Sequence, residues 1–163
     1  MFELKPLSKE GIPGALEKAI RYRLLNEPGD AESICLDILR IDPDNQEALI
    51  TLLLATTDGQ TQPYLVGGAD VKDLVARLDD EYSRAYYSGI VAERAAKAQL
   101  DTGTEYGREN AYDHLRAAMT WFEKAQAMHP RGNDDAILRW NTCARIIENN
   151  KLKERVELEF SLE

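Results

Sequence analysis

The stretch 110–130, NAYDHLRAAMTWFEKAQAMHP, carries the clearest helical pattern in the chain. Its Ala118, Phe122 and Ala125 fall on one face of a helix, and Pro130 follows as a helix breaker. The two alanines let a neighbouring helix come close, and the aromatic ring fills the space between the helices. We therefore predict a buried helix over residues 106–130, which is the second helix of a helical hairpin.

An earlier stretch repeats this pattern. Ala31, Cys35 and Pro43 have the same spacing as Ala118, Phe122 and Pro130. Before them, an apolar stripe predicts a helix over residues 12–26, and the apolar residues from Ala31 onward predict a second helix over residues 31–42. We expect the side chain of Asp30 to cap this second helix, since a short polar side chain can accept from the first free backbone N–H groups.

These residues resemble the tetratricopeptide repeat family, whose unit of about 34 residues is a helical hairpin. The match is clearest over residues 12–45. Ala19 and Tyr22 occupy the small and aromatic positions of the first helix, whereas Ala31 and Pro43 occupy the small and closing positions of the second. The resemblance implies an all-α fold of antiparallel helical hairpins, about seven helices in all, stacked as a short TPR-like right-handed solenoid.

The remaining chain fits this arrangement less regularly, and we interpret residues 1–163 as a single domain. Leucines predict another first helix over residues 48–57, and Asp70 starts a short amphipathic helix. Gly89 matches the small position of a further first helix. The other predicted segments are an inserted loop (58–69), an elongated repeat (82–130), a capping helix (134–149) and a tail (150–163). Alternating apolar residues favour an extended tail, and the helical spacing of Leu152, Val156 and Phe160 leaves a helix as the alternative.

Charge and cysteine content indicate the class of partner. The chain has 20 Lys and Arg against 29 Asp and Glu, a net charge of −9. Such a chain repels nucleic acid and anionic membranes, so we expect another protein or peptide as partner, basic or partly apolar. Cys35 and Cys143 lack metal-binding or redox spacing and are predicted to be buried. A reducing, cytoplasmic location is therefore expected.

The sequence contains none of the common catalytic motifs: no phosphate-binding loop, no GxSxG and no HExxH. Its two histidines, His114 and His129, have no second ligand at helical spacing. We therefore expect no catalytic residue, no metal and no cofactor. An enzyme with its groups scattered over several helices is the weaker alternative.

The resemblance also implies a function, because tetratricopeptide repeats bind a peptide or helix in a concave groove lined by their first helices. An adaptor or chaperone-like module is thus expected, and Tyr86 with Tyr87 beside Arg94 is its strongest contact. In the inserted loop, Tyr64 and Leu65 are either partner contacts or ordinary surface residues. The alternative function is a self-associating structural unit, such as a homodimer, whose groove or tail contacts another copy. The candidate partner-binding residues are Arg23, Ile50, Leu54, Tyr64, Leu65, Tyr86, Tyr87, Ile90, Arg94, Asn141 and Arg145.

Overall fold

The computed structural model describes residues 1–59 and 69–156, and within these ranges it is helical with no strand. The predicted all-α class is confirmed, and seven α-helices are present in the described part. Tyr64, Leu65, most of the inserted loop and residues 157–163 of the tail lie outside it. A short 3-10 turn (Lys9–Gly11) precedes α1 (Ile12–Leu24), α2 (Pro28–Ile41), α3 (Gln46–Asp58), α4 (Val71–Ala76), α5 (Glu81–Asp101), α6 (Glu105–Met128) and α7 (Asp135–Asn149).

The chain divides into two compact units, Met1–Arg84 and Ala85–Glu163. In the first unit, α1 packs against α2, α2 against α3, and α3 against α4. Ala19 and Ala31 are fully buried. The small residues of the predicted hairpin therefore face the interior, where they allow close packing of its helices. The TPR-like solenoid and the single domain stay predictions.

The start of α2 corrects one prediction. The helix begins at Pro28 rather than at Ala31, and Asp30 lies inside its first turn instead of capping it. Proline is favoured at the first helical position, because its missing N–H would have no partner there. The preceding helix, α1, ends at Leu24, and Asn26 then takes a left-handed φ of 60°. Asparagine tolerates this conformation better than most residues, which allows the tight connection.

Two side-chain caps fix the helices that follow. Asn45 accepts a 3.0 Å hydrogen bond from the Ala48 N–H at the start of α3. Asp70 accepts one of the same length from the Lys72 N–H at the start of α4, the short helix that the sequence predicted to start there. The helix α4 has only six residues, whereas α3 has 13, so α4 covers only part of the length of α3.

In the second unit, the structure confirms the buried helical face predicted for the stretch 110–130. Ala118, Phe122 and Ala125 are all fully buried, and α6 ends at Met128 before Pro130. Gly89 of α5 also takes the predicted close-approach position. A Cβ atom there would lie 2.5 Å from Cε1 of Phe122, so only glycine allows this contact. After α7, residues 152–156 form neither helix nor strand.

Candidate functional site

The first unit has an open apolar groove between α2 and α4, which we call the leucine groove. Its volume is about 310 Å³. Leucines form most of the apolar part of its wall and floor, beside Ala69: Leu36 and Leu39 from α2, Leu52 from α3, and Leu74 from α4. Leu52 and Leu74 are buried, whereas Leu36 and Leu39 are only half-buried. Apolar surface therefore remains accessible on the α2 side of the groove.

Long-range hydrogen bonds hold α4 opposite α2. Nη2 of Arg77 donates to the Pro43 carbonyl at 2.6 Å. The Gln46 side chain accepts from the Asp79 N–H at 2.9 Å and donates to the Arg77 carbonyl at 3.3 Å. The C-terminal end of α4 is thus tied to the connection between α2 and α3. These bonds set the width of the leucine groove without filling it.

Charged side chains border the leucine groove on both helices. On the α4 side, Arg77 already donates to Pro43, and its Nη1 lies 3.8 Å from the Asp73 carboxylate. The Asp73 side chain nevertheless keeps 63% of its surface exposed. Asp70 is exposed as well. Arg40 is the charged residue on the α2 side, so the two sides of the rim differ in charge.

The predicted partner-binding residues do not line the leucine groove. Arg23 of α1 forms a 2.6 Å ion pair with Asp58 of α3, which connects two helices of the first unit. Ile90 is only 2% exposed and offers no surface to a partner in this structure. The others with described side chains range from half-buried to exposed: Ile50, Leu54, Tyr86, Tyr87, Arg94, Asn141 and Arg145. Partner contacts by these residues stay predictions.

The tyrosine pair exists, but Tyr86 also has a packing role. The Tyr86 and Tyr87 rings meet edge to face, with centroids 5.1 Å apart. The centroid of the Tyr86 ring also lies 5.9 Å from that of Phe122. The Tyr86 hydroxyl oxygen accepts a hydrogen bond from the Arg139 guanidinium, which raises the pKa of Arg139. Substituting Tyr86 would therefore disturb the interior of the second unit. A change in binding after that substitution could not be assigned to a lost partner contact.

A buried ion-pair cluster joins α5 to α7. The Glu93 side chain is 1% exposed, and its Oε1 accepts from Lys97 Nζ at 2.5 Å and from Arg139 Nη1 at 3.3 Å. Burial lowers the pKa of Arg139, but the nearby Glu93 carboxylate and the Tyr86 side chain together outweigh this effect, so the pKa is raised. The second carboxylate oxygen of Glu93, Oε2, has no hydrogen-bond partner within the described residues.

Cys143 lies beside this cluster and is fully buried. Burial, reinforced by the negative charge of Glu93, raises the pKa of its thiol to about 12. The thiol is therefore protonated at neutral pH and is a poor nucleophile. Because Oε1 of Glu93 contacts both Lys97 of α5 and Arg139 of α7, we interpret the cluster as a structural link between α5 and α7.

The chain matches no family model, no curated protein and no solved structure. Among residues 1–59 and 69–156, no three metal-ligating side chains come together. Over the same ranges, every helix is too short or too polar to cross a bilayer.

Proposed function

We propose that the protein is a protein–protein interaction module, an adaptor or chaperone-like scaffold that binds a segment of another protein. The leucine groove carries this proposal. It offers accessible leucine side chains between α2 and α4, and hydrogen bonds fix the position of α4 opposite α2. Exposed apolar surface in a preformed groove is a feature of sites that accept side chains of a partner. The proposal includes TPR-like packing of the α1–α2 hairpin and α3.

The size of the leucine groove limits what it can bind. Its volume of about 310 Å³ is at the low end of ligand pockets, which span about 300–1,000 Å³. It can take one or two aliphatic side chains rather than a whole helix. Burying one such side chain contributes about 1.5–3 kcal/mol before the costs of association. A partner would therefore insert an anchor residue and make its other contacts along the rim.

Self-association is the second candidate, and the outer surface of α1 favours it. Leu24 and Leu25 are 77% and 62% exposed, and Ile20 and Tyr22 are also exposed. Exposed apolar residues close together can mark an interface between copies. Light scattering on the purified chain tests this candidate. A dimer that dissociates when Leu24 and Leu25 become serine would support it, and a monomer at micromolar concentration would exclude it.

Site-specific photo-crosslinking in the source cell tests the proposed module. A photoreactive amino acid replaces Arg40 at the rim of the leucine groove, or exposed Glu17 on α1 as a control. We expect discrete crosslinked products from position 40 and none of the same products from position 17. Adding Leu36→Asp should remove them, because a carboxylate replaces apolar surface in the groove. Circular dichroism of the purified variant, compared with that of the parent chain, checks that it remains folded.

Products that persist in the Leu36→Asp variant would contradict the proposal. Identical products from positions 40 and 17 would do so as well, because proximity rather than docking would explain them.

A further inference from the structure

The negative charge of the chain is concentrated in its first unit. Residues 1–84 contain 9 Lys and Arg against 16 Asp and Glu, a net charge of −7 out of the total of −9. The second unit is therefore close to neutral for its size. The electric field of a unit with this net negative charge raises the rate at which positively charged partners encounter it and lowers the rate for negatively charged ones. The leucine groove belongs to this acidic unit.

The rim of the groove provides specific carboxylates within that field. Asp70 and Asp73 lie one turn apart, and both line the groove beside Leu74. Within the described residues, each carboxylate uses only part of its capacity to accept hydrogen bonds. Asp70 caps α4 with Oδ1, whereas Asp73 lies 3.8 Å from an Arg77 that already donates to Pro43. A carboxylate can accept several hydrogen bonds, so both retain positions for an incoming donor.

We propose that the leucine groove binds a short basic segment of a partner protein. An aliphatic side chain of that segment enters between Leu36 and Leu74. A neighbouring Lys or Arg contacts Asp70 and Asp73. This assignment rests on the proposed function and adds the chemistry of the partner. A basic flank gains from both the rim carboxylates and the charge of the unit.

An acidic flank would encounter the opposite situation. It would lie beside the carboxylates of Asp70 and Asp73. Two arginines line the groove, and Arg77 already contacts Pro43 and Asp73, so among the described residues Arg40 is the one lining cation left to pair with an acidic flank. Like charges at close range weaken association and slow encounter, more so at low salt. The apolar anchor supplies affinity in either case, so the flanking charge sets specificity.

Three capped hexapeptides test the proposal against the full chain. Each has two central residues and two flanking pairs: leucines flanked by lysines, leucines flanked by glutamates, and serines flanked by lysines. Dissociation constants come from titrations followed by the methyl resonances of Leu36, Leu39 and Leu74. At low salt we expect the lysine-flanked leucine peptide to shift these methyls and to bind at least about tenfold more tightly than each of the others.

Charge variants separate local recognition from the overall field. Asp70→Asn with Asp73→Asn removes two rim charges, and asparagine preserves the α4 cap. Glu10→Gln with Glu17→Gln removes two exposed charges from the same unit away from the groove. The first pair should weaken binding of the lysine-flanked leucine peptide about fivefold or more, and the second less than about twofold.

The outcomes distinguish the two proposals. If both leucine peptides shift the groove methyls with equal affinity, the groove is a docking site without a basic preference, and the inference made here is wrong. Equal weakening by the two variant pairs would likewise remove the role of Asp70 and Asp73. If no peptide shifts these methyls at millimolar concentration, both the inference and the docking role of the groove are overturned.

Discussion

Glu93 of α5 and Arg139 of α7 are 46 residues apart in sequence, yet Oε1 of the first lies 3.3 Å from Nη1 of the second. The carboxylate is almost fully buried, whereas the Arg139 side chain is 39% exposed. An ionised group is excluded from water at this depth only where a cation or hydrogen-bond donor replaces the lost solvation. The pair therefore fixes α7 against α5 within the second unit.

Arg139→Met should destabilise the protein, because Glu93 then retains Lys97 as its only described ionic partner. Since Arg139 is partly exposed, we expect a loss of about 1–3 kcal/mol in the free energy of unfolding, measured in urea. Arg145→Met, on the exposed face of the same helix, is the control and should change stability by less than about 0.5 kcal/mol. Equal effects of the two substitutions would show that the ion pair contributes nothing.

Gly89→Ala should destabilise the second unit by about 1–3 kcal/mol, because the new methyl group would overlap the Phe122 ring. In α1, Gly14→Ala is a matched control. A Cβ atom there meets no other atom within 4 Å, so the same substitution should stabilise its helix by about 0.5–1 kcal/mol. Thermal unfolding measures both. A higher melting temperature for Gly89→Ala would contradict the close contact.

Phe122→Ala should cost about 3–5 kcal/mol, because it leaves a cavity where a fully buried ring was. In this background, Gly89→Ala should lose most of its cost, since the alanine methyl then has room. Urea unfolding of the two single variants and the double variant gives the coupling between the sites. Strict additivity would mean that the residues do not pack together.

Alkaline pH should weaken the fold through its two thiols. Burial is the main reason that the pKa values of Cys35 and Cys143 rise to about 12 from the ordinary thiol value of 9.0. A raised pKa in the folded state leaves stability unchanged below pH 9, and stability then falls between pH 9 and about 12 as the unfolded thiols ionise first.

Replacing both cysteines with alanine should reduce this alkaline loss, as followed by urea unfolding at pH 8 and pH 10. The same burial predicts that neither thiol reacts with a thiol reagent at pH 8 until the protein is denatured. Rapid modification of the native chain would show that a thiol is accessible and that the predicted pH dependence is wrong.

Local sequence patterns predicted much of the helical structure. The face formed by Ala118, Phe122 and Ala125 is buried as predicted, because a strong period of 3.6 residues dominates that stretch. The start of α2 was predicted less well. Pro28 and Asp30 are both typical of a helix start, and the proline took the first position.

The leucine groove could not be predicted from local patterns. Leu36, Leu39 and Arg40 have the spacing of one helical face, but that spacing does not show whether the face is covered. Whether α4 covers that face depends on the position of α4. Hydrogen bonds of Gln46 and Arg77 fix this position, and each joins residues more than 30 positions apart in the sequence. Burial of Glu93 likewise depends on a distant arginine.

Hydrogen exchange of the full chain, with and without a saturating amount of the lysine-flanked leucine hexapeptide, shows whether the leucine groove binds a basic segment. We predict that the peptide slows amide exchange in residues 36–42 and 70–77, because a short helix such as α4 opens readily until a ligand stabilises it. The rest of the chain should exchange as before. Protection confined to residues 20–25, at the end of α1, or to residues 86–94 of α5, with no change at the leucine groove, would contradict binding in the groove.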